Sequence, residues 1–304
     1  MARYAITGST GLIGEALIAS LTADGHDIQR VVRSRSGAGP EDVVWDLGAR
    51  AIEKEKLEGV DVVVHLAGEP IGSSRWTEET KRRILDSRVV GTSLLAETLA
   101  GLDSPPSVLL SSSAVGFYGD RGDEVLTEES SAGDDFLAEV CVAWEGAAAP
   151  AVDAGIRTVI PRTGVVIAEG GALISKIDLP FRLGVGGRVG SGRQYVPWIS
   201  MVDEVRALRF LAEHDDLAGP VNLVGPQPAN NRELTKALGT VLRRPTVLPI
   251  PPLAIRALYG EMGVTLATVS NRVVPQRLLD AGFTFTHPTL LAALETALQG
   301  RRAG

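Results

Sequence analysis

The sequence predicts an α/β fold in which a doubly wound parallel sheet carries a smaller C-terminal lobe. Three observations lead there. A glycine-rich turn, Thr7-Gly8-Ser9-Thr10-Gly11-Leu12-Ile13-Gly14, stands directly between a short apolar strand and a helical repeat. Strand-like apolar runs then alternate with helical stretches through about residue 160, the pattern of right-handed βαβ crossovers. Beyond Arg162 the texture changes to glycine-rich and proline-rich segments.

The elements follow in order. Arg3-Tyr4-Ala5-Ile6 has the apolar run of a buried parallel strand. Leu12, Ile13, Ala16, Leu17, Ser20 and Leu21 recur at helical spacing until Asp24-Gly25, where a glycine stop fits. Asp27 to Arg33 reads as a second strand, Val43-Val44-Trp45-Asp46 as a short third, and Val60 to Leu66 as a fourth ending at Ala67-Gly68. A long helix is expected from about Glu78 to Ala100. Val108-Leu109-Leu110 is a fifth strand running into Ser111-Ser112-Ser113, Phe136 to Ala154 is helical, and Thr158-Val159-Ile160 closes the series. Gly184 to Gly192 is glycine-rich and basic, and Pro245 to Pro252 has an extended apolar pattern. Val221 to Val224 still looks like a strand, so one C-terminal segment is expected to return to the main sheet. The expected division is residues 1–165 plus about 200–226 for the nucleotide-binding domain, and about 166–199 plus 227–304 for the smaller lobe.

A chain of 304 residues has ample core for one large or two modest domains. Its net charge of −7 argues against a nucleic-acid surface, which needs a clustered basic face. The single cysteine, Cys141, excludes an internal disulfide framework, and four scattered histidines show no metal-ligand spacing. No signal peptide and no membrane span are expected, so a cytoplasmic location is the default.

Strand, glycine turn and helix in that order make a dinucleotide cradle of the Rossmann type. The first glycine allows the tight turn, the middle one lets backbone approach a pyrophosphate, and the last lets helix and strand pack closely. The pyrophosphate then rests on the helix N-terminus, where free N–H groups and the dipole favour an anion. The end of the second strand reads the adenosine ribose. Arg33-Ser34-Arg35 supplies two arginines and a hydroxyl without a carboxylate, which suits the 2′-phosphate of NADP(H) over NAD(H), although a solvated basic loop has the same composition. Asp46 is placed either to accept from the adenine amino group or to cap a surface turn.

Together these residues resemble the extended short-chain dehydrogenase/reductases. Thr7 to Gly14 matches their TGxxGxxG, His65-Leu66-Ala67-Gly68 their fourth-strand motif, and Ser111-Ser112-Ser113-Ala114 followed by Tyr118-Gly119 their serine strand. More closely, the chain resembles an atypical, nucleoside-diphosphate-sugar epimerase-like branch, sometimes labelled SulA-like. Leu66 to Ile71 with Arg75-Trp76, Ser113 to Gly119, Phe136 to Cys141 with Trp144-Glu145, and Gly186-Gly187 to Trp198-Ile199 carry that likeness. The resemblance implies cofactor contacts from Thr7, Gly8, Ser9, Thr10, Gly11, Leu12, Ile13 and Gly14, from Arg33, Ser34 and Arg35, from Asp46 and Leu47, from Leu66, Ala67 and Gly68, and from Ser111, Pro161 and Arg162. It also implies a substrate pocket that takes in Glu69, Cys141, Tyr195 and Trp198.

The chain departs from the family at the chemistry. Where ordinary members place asparagine, serine, tyrosine and lysine, this sequence has Arg88, Ser113 (or Ser112), Leu137 and Cys141. Leucine cannot move a proton, and a neutral cysteine cannot supply the fixed charge that lowers a phenol's pKa. Ser113, Tyr118 and Arg88 are the expected substitutes, each with a plain structural reading beside it. Cys141 reads as a buried helix cysteine, because no histidine is placed to activate it. Val196 stands where nucleotide-sugar enzymes have a diphosphate-clamping arginine, which argues against such a substrate; Arg182, Arg188 and Arg193 lie nearby. Trp198, Tyr195 and Phe181 either line an apolar pocket or fill the interface between lobes. Two functions are therefore open. One is an NADP(H)-dependent oxidoreductase or epimerase-like enzyme acting on an unidentified small molecule; the other is a non-catalytic NADP(H)-binding sensor or assembly factor. Pairing through the helices over residues 78–100 and 136–154 is a common route to homodimers in the superfamily that the chain resembles; the sequence itself does not give the oligomeric state.

Overall fold

The chain starts in the middle of its own sheet. The computed structural model, which describes residues 1–35 and 38–298, places β1 (Arg3–Thr7), α1 (Leu12–Ala23), β2 (Asp27–Val32), β3 (Val43–Asp46), β4 (Ala51–Ile52), β5 (Val62–His65) and α2 (Glu78–Ala100) in the first third. There follow β6 (Val108–Ser111), β7 (Ser113–Ala114), β8 (Val125–Leu126), α3 (Phe136–Gly146), α4 (Ala149–Asp153), β9 (Arg157–Thr163), β10 (Val165–Ile167) and α5 (Ala172–Arg182). The remainder comprises β11 (Tyr195–Val196), β12 (Trp198–Ser200), α6 (Met201–Glu213), β13 (Gly219–Leu223), β14 (Ala229–Asn230), α7 (Asn231–Leu242), α8 (Pro252–Thr268), β15 (Arg272–Val273), α9 (Gln276–Asp280) and α10 (Leu290–Ala297).

The main sheet runs β13-β9-β6-β5-β1-β2-β3-β4, with β7 pairing β9 beside that path. The pairs are parallel except β3 with β4. From β1 the chain winds outward to β2 and β3, then crosses back to β5 and onward to β6 and β9. Strand order therefore reverses between β1 and β5, which opens a crevice at their carboxyl ends. Alternating residues divide the two faces. Ile6, Val64 and Leu110 pack with Leu17 and Leu21 of α1 and Leu208 and Leu211 of α6. Ala5, Val63 and Leu109 pack with Trp45 and with Leu95 and Leu99 of α2. Cover on both faces explains why these strands read as continuous apolar runs.

Beyond β9 a second, smaller core forms from Ile167, Ile174, Phe181, Trp198, Leu234, Leu238 and Leu294. The strand around Val221 does return to the main sheet, pairing with β9 from Gly219↔Val159 to Leu223↔Thr163. Pro245 to Pro252 makes a single isolated bridge, Val189 with Ile250, rather than a strand. The helix expected over Phe136–Ala154 is two helices. Gly146 and then Pro150, which has no N–H to give, end α3 and start α4. Residues 299–304, at the end of the expected smaller lobe, lie outside the described residues.

Candidate functional site

The turn after β1 is built so that only glycine fits. Gly8 has φ +65°, and a Cβ there would sit 2.8 Å from the Leu66 carbonyl carbon; a Cβ on Gly14 would sit 2.3 Å from the Gly8 oxygen. The β1 turn, the start of α1 and the end of β5 are thus in direct backbone contact. α1 begins at Gly11 with no side-chain cap. Thr77, Asp135, Ser200, Asn230 and Thr289 cap α2, α3, α6, α7 and α10 with their side chains, while α4, α5, α8 and α9 also lack such a cap, so the close glycine contacts rather than the missing cap single out α1. Thr10, Gly11 and Leu12 are exposed at this end, while Ser9 is buried. The first-turn N–H groups of α1 therefore face the crevice, which is what an anion requires.

Thr7 is 0% exposed, and its side chain is used inside the protein. Its Oγ1 accepts the N–H groups of Leu66 (3.0 Å) and Ala67 (3.1 Å) and lies 2.7 Å from His65 Nδ1. With two donors on its oxygen, the hydroxyl gives its own hydrogen to Nδ1. The His65 proton is then on Nε2, directed at Thr92 Oγ1 at 3.0 Å. Burial, with a smaller push from the Arg88 charge, lowers the His65 pKa to about 4, so the ring is neutral. Thr7 thus fixes the Leu66-Ala67-Gly68 backbone that the crevice presents. Leu66 and Ala67 pack against opposite core faces, and Gly68 is exposed.

At the end of β2, Arg33, Ser34 and Arg35 are all exposed. Arg35 pairs with Glu53, whereas Arg33 has no ion-pair partner among the described residues. Asp46 Oδ1 accepts the Ala49 N–H at 3.0 Å, the turn-capping alternative, and Leu47 packs against the core beside α2.

The carboxyl ends of β6, β7 and β9 with α3 hold a polar network that motif reasoning did not assemble. Ser113 Oγ donates to Glu145 Oε1 at 2.6 Å. Arg162 grips the same carboxylate with two bonds, Nε to Oε1 at 2.8 Å and Nη2 to Oε2 at 2.9 Å. Arg162 is 3% exposed, its guanidinium 3.4 Å from the Phe117 ring centre. Burial works against its charge, but Glu145 and Tyr118 outweigh it and hold the pKa above the usual value. Arg162 is thus an internal ion-pair partner rather than a cofactor contact, and Pro161 is buried in β9 opposite Val221. Ser111 Oγ is buried with no partner.

Tyr118 is also placed otherwise than expected. It is 0% exposed; its hydroxyl donates to Asn222 Oδ1 at 2.7 Å and accepts from Arg162 Nη1 at 3.0 Å. Burial raises its pKa. A phenol enclosed between these partners supports β13 against β9 and is not presented to a substrate. Cys141 lies against the 115–118 turn, its thiol donating to the Ala114 carbonyl at 3.6 Å. Burial first, then the Glu145 charge, push the thiol up to about 11, so it is no nucleophile. Trp198 is core: it is 1% exposed, and its Nε1 donates to the Gln227 carbonyl at 3.0 Å. Phe181 shares that core. Tyr195 pairs with Asn230, lies under Arg272, and lines a separate cleft of about 670 Å³ with Asp120, Asp123 and Arg193. That cleft includes no cradle residue.

Arg88 lies beside Gly68 at the end of β5. Its Nη1 donates to the carbonyls of Glu69 (3.0 Å) and Ile84 (3.1 Å), and its guanidinium stacks 4.9 Å from the Trp144 ring centre. A Cβ on Gly68 would touch it at 3.3 Å. Glu69 is half-buried, with its N–H bonded to Ser87 Oγ. Glu145 and Trp144 were visible in the sequence only as a neighbouring pair; nothing local signalled that one would anchor Ser113 and the other Arg88.

Comparison with known proteins shows the family and the fold. Residues 4–225 match the model of the NAD dependent epimerase/dehydratase family, and residues 250–297 match a domain of unknown function, DUF1731. The chain is 43% identical over 290 residues to an epimerase family protein of Mycobacterium bovis, covering 95% of each. A crystal structure of human epimerase family protein SDR39U1 with NADPH superposes with a TM-score of 0.89 at 34% identity, covering 98% of this chain and 99% of that one. A nucleoside-diphosphate sugar epimerase from Corynebacterium glutamicum gives 0.82 at 37% identity, covering 98% of this chain and 58% of the other. Among the described residues no helix is long and apolar enough to cross a membrane, and no side-chain group could hold a metal.

Proposed function

The chain belongs to the NAD dependent epimerase/dehydratase family, and from that premise we propose that it binds NADP(H) in the β1/β5 crevice and acts on a small molecule beside it. The observation that carries this reading is the uncapped first turn of α1, set against two glycines whose positions admit no side chain. Such a turn offers N–H groups and a positive dipole end to a pyrophosphate. Arg33, exposed at the end of β2, suits a 2′-phosphate, and the human relative's structure with NADPH supports the same choice.

When bound, the nicotinamide supplies or accepts a hydride. The chain must then orient the substrate and handle a proton without tyrosine or lysine at positions 137 and 141. Ser113 is only 3% exposed, but its hydrogen bond to the Glu145 carboxylate makes it a hydroxyl already coupled to a proton acceptor. In the oxidising direction, Ser113 Oγ takes the proton of a substrate hydroxyl as its own proton passes to Glu145 Oε1, and Arg162 keeps that carboxylate in register. The test is consumption of NADPH over a panel of small aldehydes, ketones and keto acids. Ser113→Ala should abolish turnover and leave NADPH affinity unchanged; an undiminished rate rejects the proton assignment. A second reading, a non-catalytic NADP(H)-binding protein, is favoured by the enclosed Tyr118 hydroxyl and the neutral Cys141. Tight NADPH binding with no turnover on any substrate would support it.

A further inference from the structure

Arg88 is a largely buried cation with no ion-pair partner among the described residues. Its Nη1 is met by two backbone carbonyls, which satisfy hydrogen bonds but not a full positive charge. Burial disfavours its charged form, and Cys141 and Glu69 act in the opposite direction. Neither completes an ion pair: the Cys141 thiol is neutral, and no carboxylate of the described residues, Glu69 included, lies within ion-pair distance of Arg88. Glu145, one residue beyond Trp144, is fully engaged by Arg162 and Ser113. The Trp144 indole that carries the guanidinium is 6% exposed, and its Nε1 donor has no acceptor. A surplus positive charge and an orphaned donor thus stand side by side. Gly68 keeps the approach open, since a Cβ there would lie 3.3 Å from the guanidinium carbon.

We infer that Arg88 and Trp144 form an oxyanion subsite at the end of the crevice, built to take a carboxylate or phosphate oxygen of a bound ligand. This rests on the NADP(H) reading above. Stacking on the indole orients the planar guanidinium before the ligand arrives, so little freedom is lost on binding. The anion has two sources, a carboxylate on the substrate or a phosphate oxygen of the cofactor itself.

The experiment uses the full chain and separates them. NADPH affinity is measured by nicotinamide fluorescence for the wild type and Arg88→Met, and malonate is titrated into each NADP⁺ complex while the melting temperature is followed. A substrate-side subsite predicts that malonate raises the wild-type melting temperature, that Arg88→Met loses this response, and that NADPH affinity changes less than about twofold. A cofactor-side subsite predicts a loss of NADPH affinity of about tenfold or more, the usual effect of removing one charge-assisted hydrogen bond. Should Arg88→Met fail to fold, Trp144→Phe, which keeps a ring and removes the donor, must weaken one of the two ligands several-fold. NADPH affinity and malonate response both unchanged in the folded variant overturn the inference. If the wild type binds no NADPH, the reading beneath it fails instead.

Discussion

Thr7→Val is the substitution that tests most sharply how the crevice is held. Valine keeps the shape and removes the hydroxyl, so three hydrogen bonds are lost together: those from the Leu66 and Ala67 N–H groups and the one to His65 Nδ1. The His65 nitrogen is fully enclosed, and leaving it without a donor costs about 1–3 kcal/mol. The two backbone groups are half-buried and regain some water, so about 1 kcal/mol each is appropriate. The expected loss is about 3 kcal/mol, discounted because the three bonds share one oxygen. With a urea m-value of about 3 kcal/mol per molar for a chain of this size, the unfolding midpoint should fall by about 1 M at unchanged slope. Thr7→Ser keeps the oxygen and should stay within about 0.3 M of the wild type. NADPH affinity should also drop in Thr7→Val, because the Leu66–Gly68 backbone loses its fixed position. A midpoint for Thr7→Val within about 0.3 M of the wild type would refute the role given to this hydroxyl.

Glu204 sets a pH dependence. It is fully enclosed, with Thr163 Oγ1 donating to one carboxyl oxygen at 2.8 Å and the other oxygen unpartnered, and burial pushes its pKa up to about 8 against an ordinary 4.5. The folded state therefore keeps a proton that the unfolded chain releases, so this contribution is fully present below about pH 4.5 and is lost as pH rises toward 8, by at most about 1.4 kcal/mol per unit. Urea midpoints between pH 5.5 and 8 should fall less steeply in Glu204→Gln, and identical slopes would contradict the assignment. His65, lowered to about 4, acts in the opposite sense: stability from its neutral ring is present above about pH 6.5 and lost toward pH 4. Cys141 should resist thiol reagents near neutral pH until denaturant is added, as its raised pKa and burial require; rapid labelling of the folded protein would show the helix packed otherwise. Arg33→Ala should weaken NADPH by about tenfold and NADH by less than about twofold, since it removes a partner of the 2′-phosphate alone; equal losses would place that phosphate elsewhere.

The parts of this fold that were readable in the sequence are those whose causes are local. The Thr7–Gly14 turn is legible because steric demands fall on consecutive residues. The 78–100 helix is legible at both ends: Thr77 Oγ1 accepts the Thr80 N–H, and Gly101 follows the last turn. What stayed hidden depends on partners far along the chain. Tyr118 looks like a free acid until Asn222, 104 residues away, supplies its acceptor. Arg162 looks like part of a cofactor motif until Glu145 reaches it from α3, and Trp198 looks like a pocket aromatic until α7 and α10 close over it. Thr7's bonds to the Leu66 and Ala67 N–H groups and to His65 are not legible in the motif, because its side-chain direction depends on how β1 and β5 are registered.

Titration calorimetry with NADPH on the intact chain and on Gly14→Val addresses the cofactor assignment most directly. Any side chain at position 14 starts within 2.3 Å of the Gly8 carbonyl and must push α1 away from β1. The wild type should bind NADPH with measurable heat at a single site, and a folded Gly14→Val should bind at least about tenfold more weakly. No heat in the wild type, or equal affinity in the two proteins, would contradict a cofactor seated on the first turn of α1.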